Sequence, residues 1–214
     1  MKTLTKQINN QTFVFSESKT LLWEEEKTLI LSDMHLGKAA HFRKHGIAIP
    51  SEIMLNDLER LSKALDYFQP KRMVIVGDFI HAGDNSDTAL FNTWREKHPQ
   101  IAIDLVKGNH DRFKKEYLDK WMVHLHHQSL MIRDILFVHE PAKAENQFTI
   151  SGHIHPGVSL KLQKNRIIRL PCWAFNDHQL ILPAFSSFTG LDTNAVKTDF
   201  SKIIVTEGLL LELQ

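Results

Sequence analysis

A chain of 214 residues, 43% hydrophobic and 24% charged, has the size and composition of one globular domain. That composition excludes a disordered, collagenous or coiled-coil chain, and the whole of residues 1–214 is expected to fold as a single unit. A formal net charge of +1 excludes a uniformly basic body that coats nucleic acid, while leaving local basic patches open. Cys172 is the only cysteine, so no disulfide forms within the chain, as suits a reducing compartment. No apolar run approaches the roughly 18 to 20 residues that span a bilayer. MKTLTKQINNQTF lacks a signal peptide's apolar core, so a cytoplasmic protein without a membrane segment is expected.

In chain order, Thr12–Phe15, Leu21–Glu24 and Thr28–Leu31 read as strands between polar breaks. Met54, Leu58, Leu61, Leu65 and Phe68 recur at three- and four-residue spacing, which predicts an amphipathic helix over Ser51–Phe68, stopped by Pro70. A second helix is expected over Asp87–Lys97, capped by Ser86, with Leu90, Phe91 and Trp94 inward. A third is expected over Phe113–Trp121. Past Met122 short strands and turns dominate as far as Leu213, so the chain reads as α/β.

Histidines number 13, against 9 glycines, and imidazole is the commonest metal-ligating side chain. Several follow apolar runs. Thr28–Ser32 leads to Asp33 and His35; Met73–Gly77 leads to Asp78; Ile103–Gly108 leads to Asn109, His110 and Asp111. Ile135–Val138 leads to His139, and Phe148–Gly152 leads to His153 and His155. In open α/β sheets ligands collect beyond the carboxyl ends of strands, so five such strands side by side would gather these side chains in one crevice. Asp or Asn after a strand is also an ordinary turn former, and any one of these motifs taken singly reads equally well as a turn. Five in order are hard to explain that way.

The set Asp33-Met-His35, Gly77-Asp78, Gly108-Asn109-His110-Asp111, His139 and Gly152-His153-Ile-His155 resembles the calcineurin-like metallophosphoesterases over about residues 28–156. The resemblance implies a four-layer α/β/β/α sandwich of two mixed sheets, with two divalent metal ions at the strand ends. Asp33, His35 and His155 would hold the first ion and Asn109, His139 and His153 the second, with Asp78 bridging. Asp-Met-His-Leu-Gly-Lys-Ala-Ala-His-Phe-Arg, Gly-Ile-Ala-Ile-Pro, Val-His-Glu-Pro and Leu-Pro-Ala-Phe are similar to one bacterial branch, the ligase-associated DNA damage response endonucleases. That likeness implies a DNA substrate and a functional association with an ATP-dependent DNA ligase. One departure is that Phe79, Ile80 and His81 follow Gly-Asp, where many members carry a further Asp or Asn. His81 is therefore a candidate to contact substrate or support a ligand.

Carboxylate, amide oxygen and imidazole without thiolate suit Mn²⁺ first, with Fe²⁺ or Zn²⁺ as alternatives. Two such ions clamp the attacking and leaving oxygens of an in-line displacement at phosphorus, with a hydroxide bridging them as nucleophile. By the same resemblance His110 would protonate the leaving alkoxide, and Asp111 would orient its imidazole. Lys38, Arg43 and Arg112, beside these motifs, are candidates to bind substrate. Lys44, Lys107, Lys114 and Lys115 add to that local charge, as do Lys161, Lys164, Arg166 and Arg169 on a later hairpin.

His124 and His126 share a strand face and, with His127, could hold a third metal, although satisfied or exposed imidazoles fit as well. His41 and His45 could touch substrate. Leu182–Gly190 reads as a turn crossing the core or as a loop closing on the substrate. Two other functions share the expected fold: a phosphodiesterase acting on a nucleotide or other small phosphoester, and a catalytically silent scaffold.

Overall fold

The computed structural model describes residues 1–214 apart from Asp84, Phe113, Lys143, Glu145, Asn146, Gln214 and the side chain of Lys164. Its first half runs β1 (Thr3–Ile8), β2 (Gln11–Ser16), β3 (Leu21–Trp23), β4 (Thr28–Leu31), α1 (Lys38–Lys44), α2 (Ile53–Phe68), β5 (Arg72–Val76), α3 (Ser86–Lys97), β6 (Ala102–Val106), α4 (Lys115–Trp121) and β7 (Val123–His126). The second half is β8 (Ser129–Ile132), β9 (Ile135–Val138), β10 (Phe148–Ser151), β11 (Gly157–Lys161), β12 (Ile167–Phe175), β13 (Gln179–Ile181), β14 (Ser201–Thr206) and β15 (Leu209–Leu213).

Two mixed sheets result. The first has the order β1-β2-β3-β4-β5-β6-β7, antiparallel as far as β4 and parallel from there to β7. The second has the order β15-β14-β12-β13-β10-β9-β8, with β11 added against β12. Strand alternation makes the layers. Leu29, Leu31, Met73, Ile75, Ile103 and Leu105 point to α2, α3 and α4, where they meet Leu58, Leu61, Phe91 and Trp121. Ile30, Val74, Val76 and Val106 point the other way, against Phe137, Ile150, Trp173 and Ile203 of the second sheet. Two packed mixed sheets with helices over the first are as expected from the sequence. Among the described residues the outermost layer over the second sheet contains no α-helix; Val158 on β11 and Val196, in the segment after β13, cover Cys172, Ala174 and Ile181 there.

Helix boundaries follow local chemistry. The apolar spacing of α2 buries Met54, Leu58, Leu61 and Leu65, and the helix ends at Gln69 in a left-handed conformation, one residue before Pro70. The cap of α3 is Asn85 rather than Ser86. Its side chain accepts from the N–H groups of Asp87 and Thr88, and Thr88 Oγ1 accepts from Asn85 N, a reciprocal capping box. Phe113, expected to begin the third helix, lies outside the described residues, and that helix starts at Lys115. Helix α1 and strand β1 are additions to the sequence reading.

The site-bearing strands do not stand in one row. β4, β5 and β6 are neighbours in the first sheet and β9 and β10 in the second, because the β8–β9 hairpin opens a new sheet after β7. The sheets meet at the ends of these strands. Phe185 N donates to Ser32 O at 2.8 Å, Ser186 N to Asp33 O at 3.2 Å, and Leu182 N to Ser151 O at 2.8 Å. Residues 182–186 therefore cross the core, with Phe185 fully buried, while Ser187 and Gly190 are exposed and Phe188 packs against Phe42.

Candidate metal centre

Two clusters lie where the strand ends converge. In the first, Asp33, His35 and His155 bring their ligand atoms within 4.8 Å of one another. His35 Nε2 lies 3.4 Å from His155 Nε2, and His155 Nε2 lies 3.4 Å from Asp33 Oδ1. Asp78, His139 and His153 form the second cluster, within the same limit. Here His139 Nε2 lies 2.9 Å from Asn109 Oδ1, 3.1 Å from His153 Nδ1 and 3.4 Å from Asp78 Oδ1. The structure thus brings together all seven side chains expected to ligate metal.

The donor set fits cations. One imidazole nitrogen cannot hydrogen-bond three partners, yet Nε2 of His139 faces three. Its Nδ1 lies 3.3 Å from the Val76 carbonyl, a bond that puts the proton on Nδ1 and turns the Nε2 lone pair inward. The Nδ1 atom of His35 is buried with no hydrogen-bond partner. Burial and then the nearby Lys38 push the His35 pKa down to about 3, so the ring is neutral and able to ligate. Burial works against ionisation of Asp33, but His155 and Ser32 hold its carboxyl below the usual range.

Glycines make room for this crowding. A Cβ on Gly77 would overlap the His139 ring, one on Gly108 would overlap Asp78, and one on Gly152 would sit 2.5 Å from Asp33 Oδ2. Each motif's glycine is thus the floor under another motif's ligand. The candidate ligands themselves sit in an uncommon backbone region: Asp33, His35, Asp78, His153 and His155 have φ of 53°, 47°, 46°, 69° and 46°. Such left-handed residues cost of the order of 1 kcal/mol or more each and cluster at functional sites. Hydrogen bonds between motifs hold them: Asp33 N to Gly77 O at 3.1 Å, His35 N to Asp78 O at 2.9 Å, His110 N to Asp78 Oδ1 at 2.9 Å, and His153 N to Asp33 Oδ2 at 3.1 Å.

Around the clusters, His110 is exposed, its ring centroid 6.1 Å from that of His35 and 5.8 Å from that of His81. His81 carries a buried, unpartnered Nδ1, and burial followed by Lys38 lowers its pKa. The amine of half-buried Lys38 has its pKa lowered by burial, against the pull of Asp78 and Asp33. Arg112 is exposed next to this loop. Exposed His41 and His45 have ring centroids 4.4 Å apart with their planes tilted by 44°, and the His41 centroid lies 6.0 Å from that of His81.

Two expectations need correcting. Asp111 does not orient His110; its oxygens accept from Ile80 N at 2.8 Å and Gly108 N at 2.7 Å, so the carboxylate clamps the loop backbone. Burial raises its pKa to about 6. Arg43 turns away from the centre. It pairs with buried Asp87 at 3.0 Å and donates to Pro50 O at 3.1 Å, so its charge is spent tying α1 to α3. Of the outlying histidines, His126 lies 2.7 Å from Asp104 Oδ1 and stacks on exposed His124 at 4.7 Å. Arg72 lies 3.3 Å from the other Asp104 oxygen, and Asp104, His124 and His126 also bring their ligand atoms within 4.8 Å of one another, away from the two clusters at the strand ends.

The sequence model described as calcineurin-like phosphoesterase matches residues 26–187. No curated protein sequence matches the chain. Among solved structures, a nuclease named MPE from Pseudomonas putida is similar in fold, with a TM-score of 0.85 at 23% identity over 99% of this chain and 100% of that one. YfcE, a phosphoesterase from E. coli, aligns with a TM-score of 0.41 at 16% identity over 86% of this chain and 90% of that one.

Proposed function

The chain belongs to the calcineurin-like phosphoesterases, and from that premise we propose that it is a dinuclear metal-dependent phosphodiesterase acting on DNA as an endonuclease. The observation that carries the reading is the convergence of Asp33, His35, His155 and Asp78, His139, His153 from two sheets, with His110 exposed beside them. The first three would hold one divalent ion, and His139, His153 and Asn109 the other, with Asp78 shared. Ions in these positions, Mn²⁺ by preference, supply charge neutralisation at phosphorus and an activated water near neutral pH. His110 lies where it can give a proton to the departing oxygen. Lys38, near Asp78 and Asp33, and His81, beside His110, would take up the charge of the phosphoryl oxygens.

DNA is favoured over a small phosphoester by the exposed Arg112 and Arg169 around an open site, and by the fold-level likeness to a nuclease. Among the described residues no helix is long and apolar enough to cross a membrane. An association with an ATP-dependent DNA ligase rests on the motif resemblance alone.

Circular single-stranded DNA incubated with Mn²⁺-loaded protein tests the proposal. Linear product, abolished by chelation and by His110→Ala, is expected. Intact circles beside hydrolysis of bis(p-nitrophenyl) phosphate would instead assign a small phosphodiester, and inertness towards both would leave a scaffold.

A further inference from the structure

The hairpin formed by β11 and β12 stands beside the metal centre. Its register pairs Gly157 with Pro171, Ser159 with Arg169 and Lys161 with Ile167. Alternation turns Val158, Leu160, Leu170 and Cys172 inward, where they pack with Ile204. The opposite face therefore presents Ser159, Lys161, Ile167 and Arg169, all of them exposed.

That face opens onto the centre. Arg169 and His155 line one cleft of about 370 Å³, open to solvent, with residues 190–194 as its facing wall. The closing segment is fixed to His155 by backbone bonds, with Asp192 N donating to His155 O at 3.0 Å and Gly157 N donating to Asp192 O at 2.9 Å. The Asp192 carboxylate is turned onto its own turn, accepting from Asn194 N at 2.8 Å and Ala195 N at 2.9 Å. It therefore does not pair with Arg169. Among the described residues neither Arg169 nor Lys161 has an ion-pair partner, so both guanidinium and ammonium are available to an anion. Next to them Ile167 is 66% exposed, the most exposed large apolar side chain among the described residues.

We propose that this hairpin face is the track along which a single polynucleotide strand leaves the metal centre. Arg169 grips the phosphate next to the scissile one, Lys161 a more distant phosphate, and Ile167 packs beneath a base. This deepens the nuclease reading and rests on it. Residues two apart on one strand face are separated by about 6 to 7 Å, so successive contacts follow an extended strand rather than a compact ligand. The arrangement of cationic side chains with an apolar platform is how sequence-independent single-strand binding is built. Arg suits the first position because its planar fork takes two phosphate oxygens at once. A mononucleotide-sized ester reaches the ions without touching the track, so the hairpin selects for polymer.

The test compares wild type, Arg169→Ala, Arg169→Lys and Lys161→Ala on two substrates, a long single-stranded DNA and bis(p-nitrophenyl) phosphate. Arg169→Ala should raise KM for DNA about tenfold with kcat largely retained, lowering the preference for DNA over the small ester by the same factor. Its salt slope for DNA binding should fall by about one. Lys161→Ala should show the same pattern more weakly, and Arg169→Lys should recover part of the loss. Equal losses on both substrates would mean a structural role and overturn the track. Unchanged DNA kinetics in Arg169→Ala would overturn it too. A wild type that hydrolyses the ester but leaves DNA uncut removes the nuclease reading itself, and the track with it.

Discussion

Gly108 donates its backbone N–H to Asp111 Oδ2 at 2.7 Å, closing the loop that carries Asn109 and His110. The other oxygen takes Ile80 N, on the neighbouring motif. Both partners are donors, so an amide in place of the carboxylate can satisfy only one. Asp111→Ala and Asp111→Asn should each destabilise the protein by about 1 to 4 kcal/mol in urea unfolding. The pH profile of kcat should keep its shape; a displaced acid limb in Asp111→Asn would restore the imidazole-orienting role.

Gly77 sits at φ +79° directly beneath the His139 ring. Gly77→Ala should thus displace a metal ligand without emptying the core. Metal content after dialysis should fall below two ions per chain, with activity down at least about a hundredfold. Retention of both ions would show that His139 is not a ligand.

His110 is exposed and contributes nothing to the core. Replacing it by alanine should cost about a hundred- to ten-thousand-fold in kcat, with metal stoichiometry and melting temperature as in wild type. Loss of an ion in this variant would reassign His110 as a ligand.

Arg43 compensates the carboxylate of Asp87, which is 1% exposed. Removing a partner from a partly buried pair leaves an uncompensated charge, so Arg43→Ala should destabilise by about 1 to 3 kcal/mol. KM for DNA should move less than twofold. A large rise in KM at unchanged stability would return Arg43 to the substrate.

Lys19 is largely buried near Arg60 and Asp57, and burial, then Arg60, lowers its pKa from 10.5 to about 8. Below pH 8 the amine is charged in both folded and unfolded states, so the full penalty applies. As pH rises from 8 to 10.5 the folded state loses its proton first and the penalty is relieved. Lys19→Met should therefore stabilise at pH 7 by about 1 to 3 kcal/mol, and the gain should shrink towards pH 10. An equal gain at both pH values would detach it from the amine's charge.

The candidate ligand set is legible in the sequence because each motif is local: an apolar run, a glycine, then a donor. Nothing in the sequence names the partners of those glycines, and only the packed structure shows that Gly77 answers to His139 and Gly152 to Asp33, far apart in sequence. Arg43 was misjudged for the converse reason. Its proximity to the first motif in sequence suggested substrate, while its partner Asp87 arrives from another helix. Helix α1 escaped notice because seven residues offer too short a period to stand out. The placement of Arg169 beside His155 depends on hairpin register and on residues 190–194, neither of which a composition of basic residues encodes.

Three of the ligand-bearing strands belong to one sheet and two to the other. Two metal ions in the proposed positions would consequently fasten the two halves of the sandwich together, and their binding free energy would be linked to global stability as ligand binding is in any two-state protein. Occupancy would then set durability as well as turnover. A cell short of the metal would hold a protein both idle and quicker to unfold, so that scarcity is registered in the amount of protein that survives and not only in its rate.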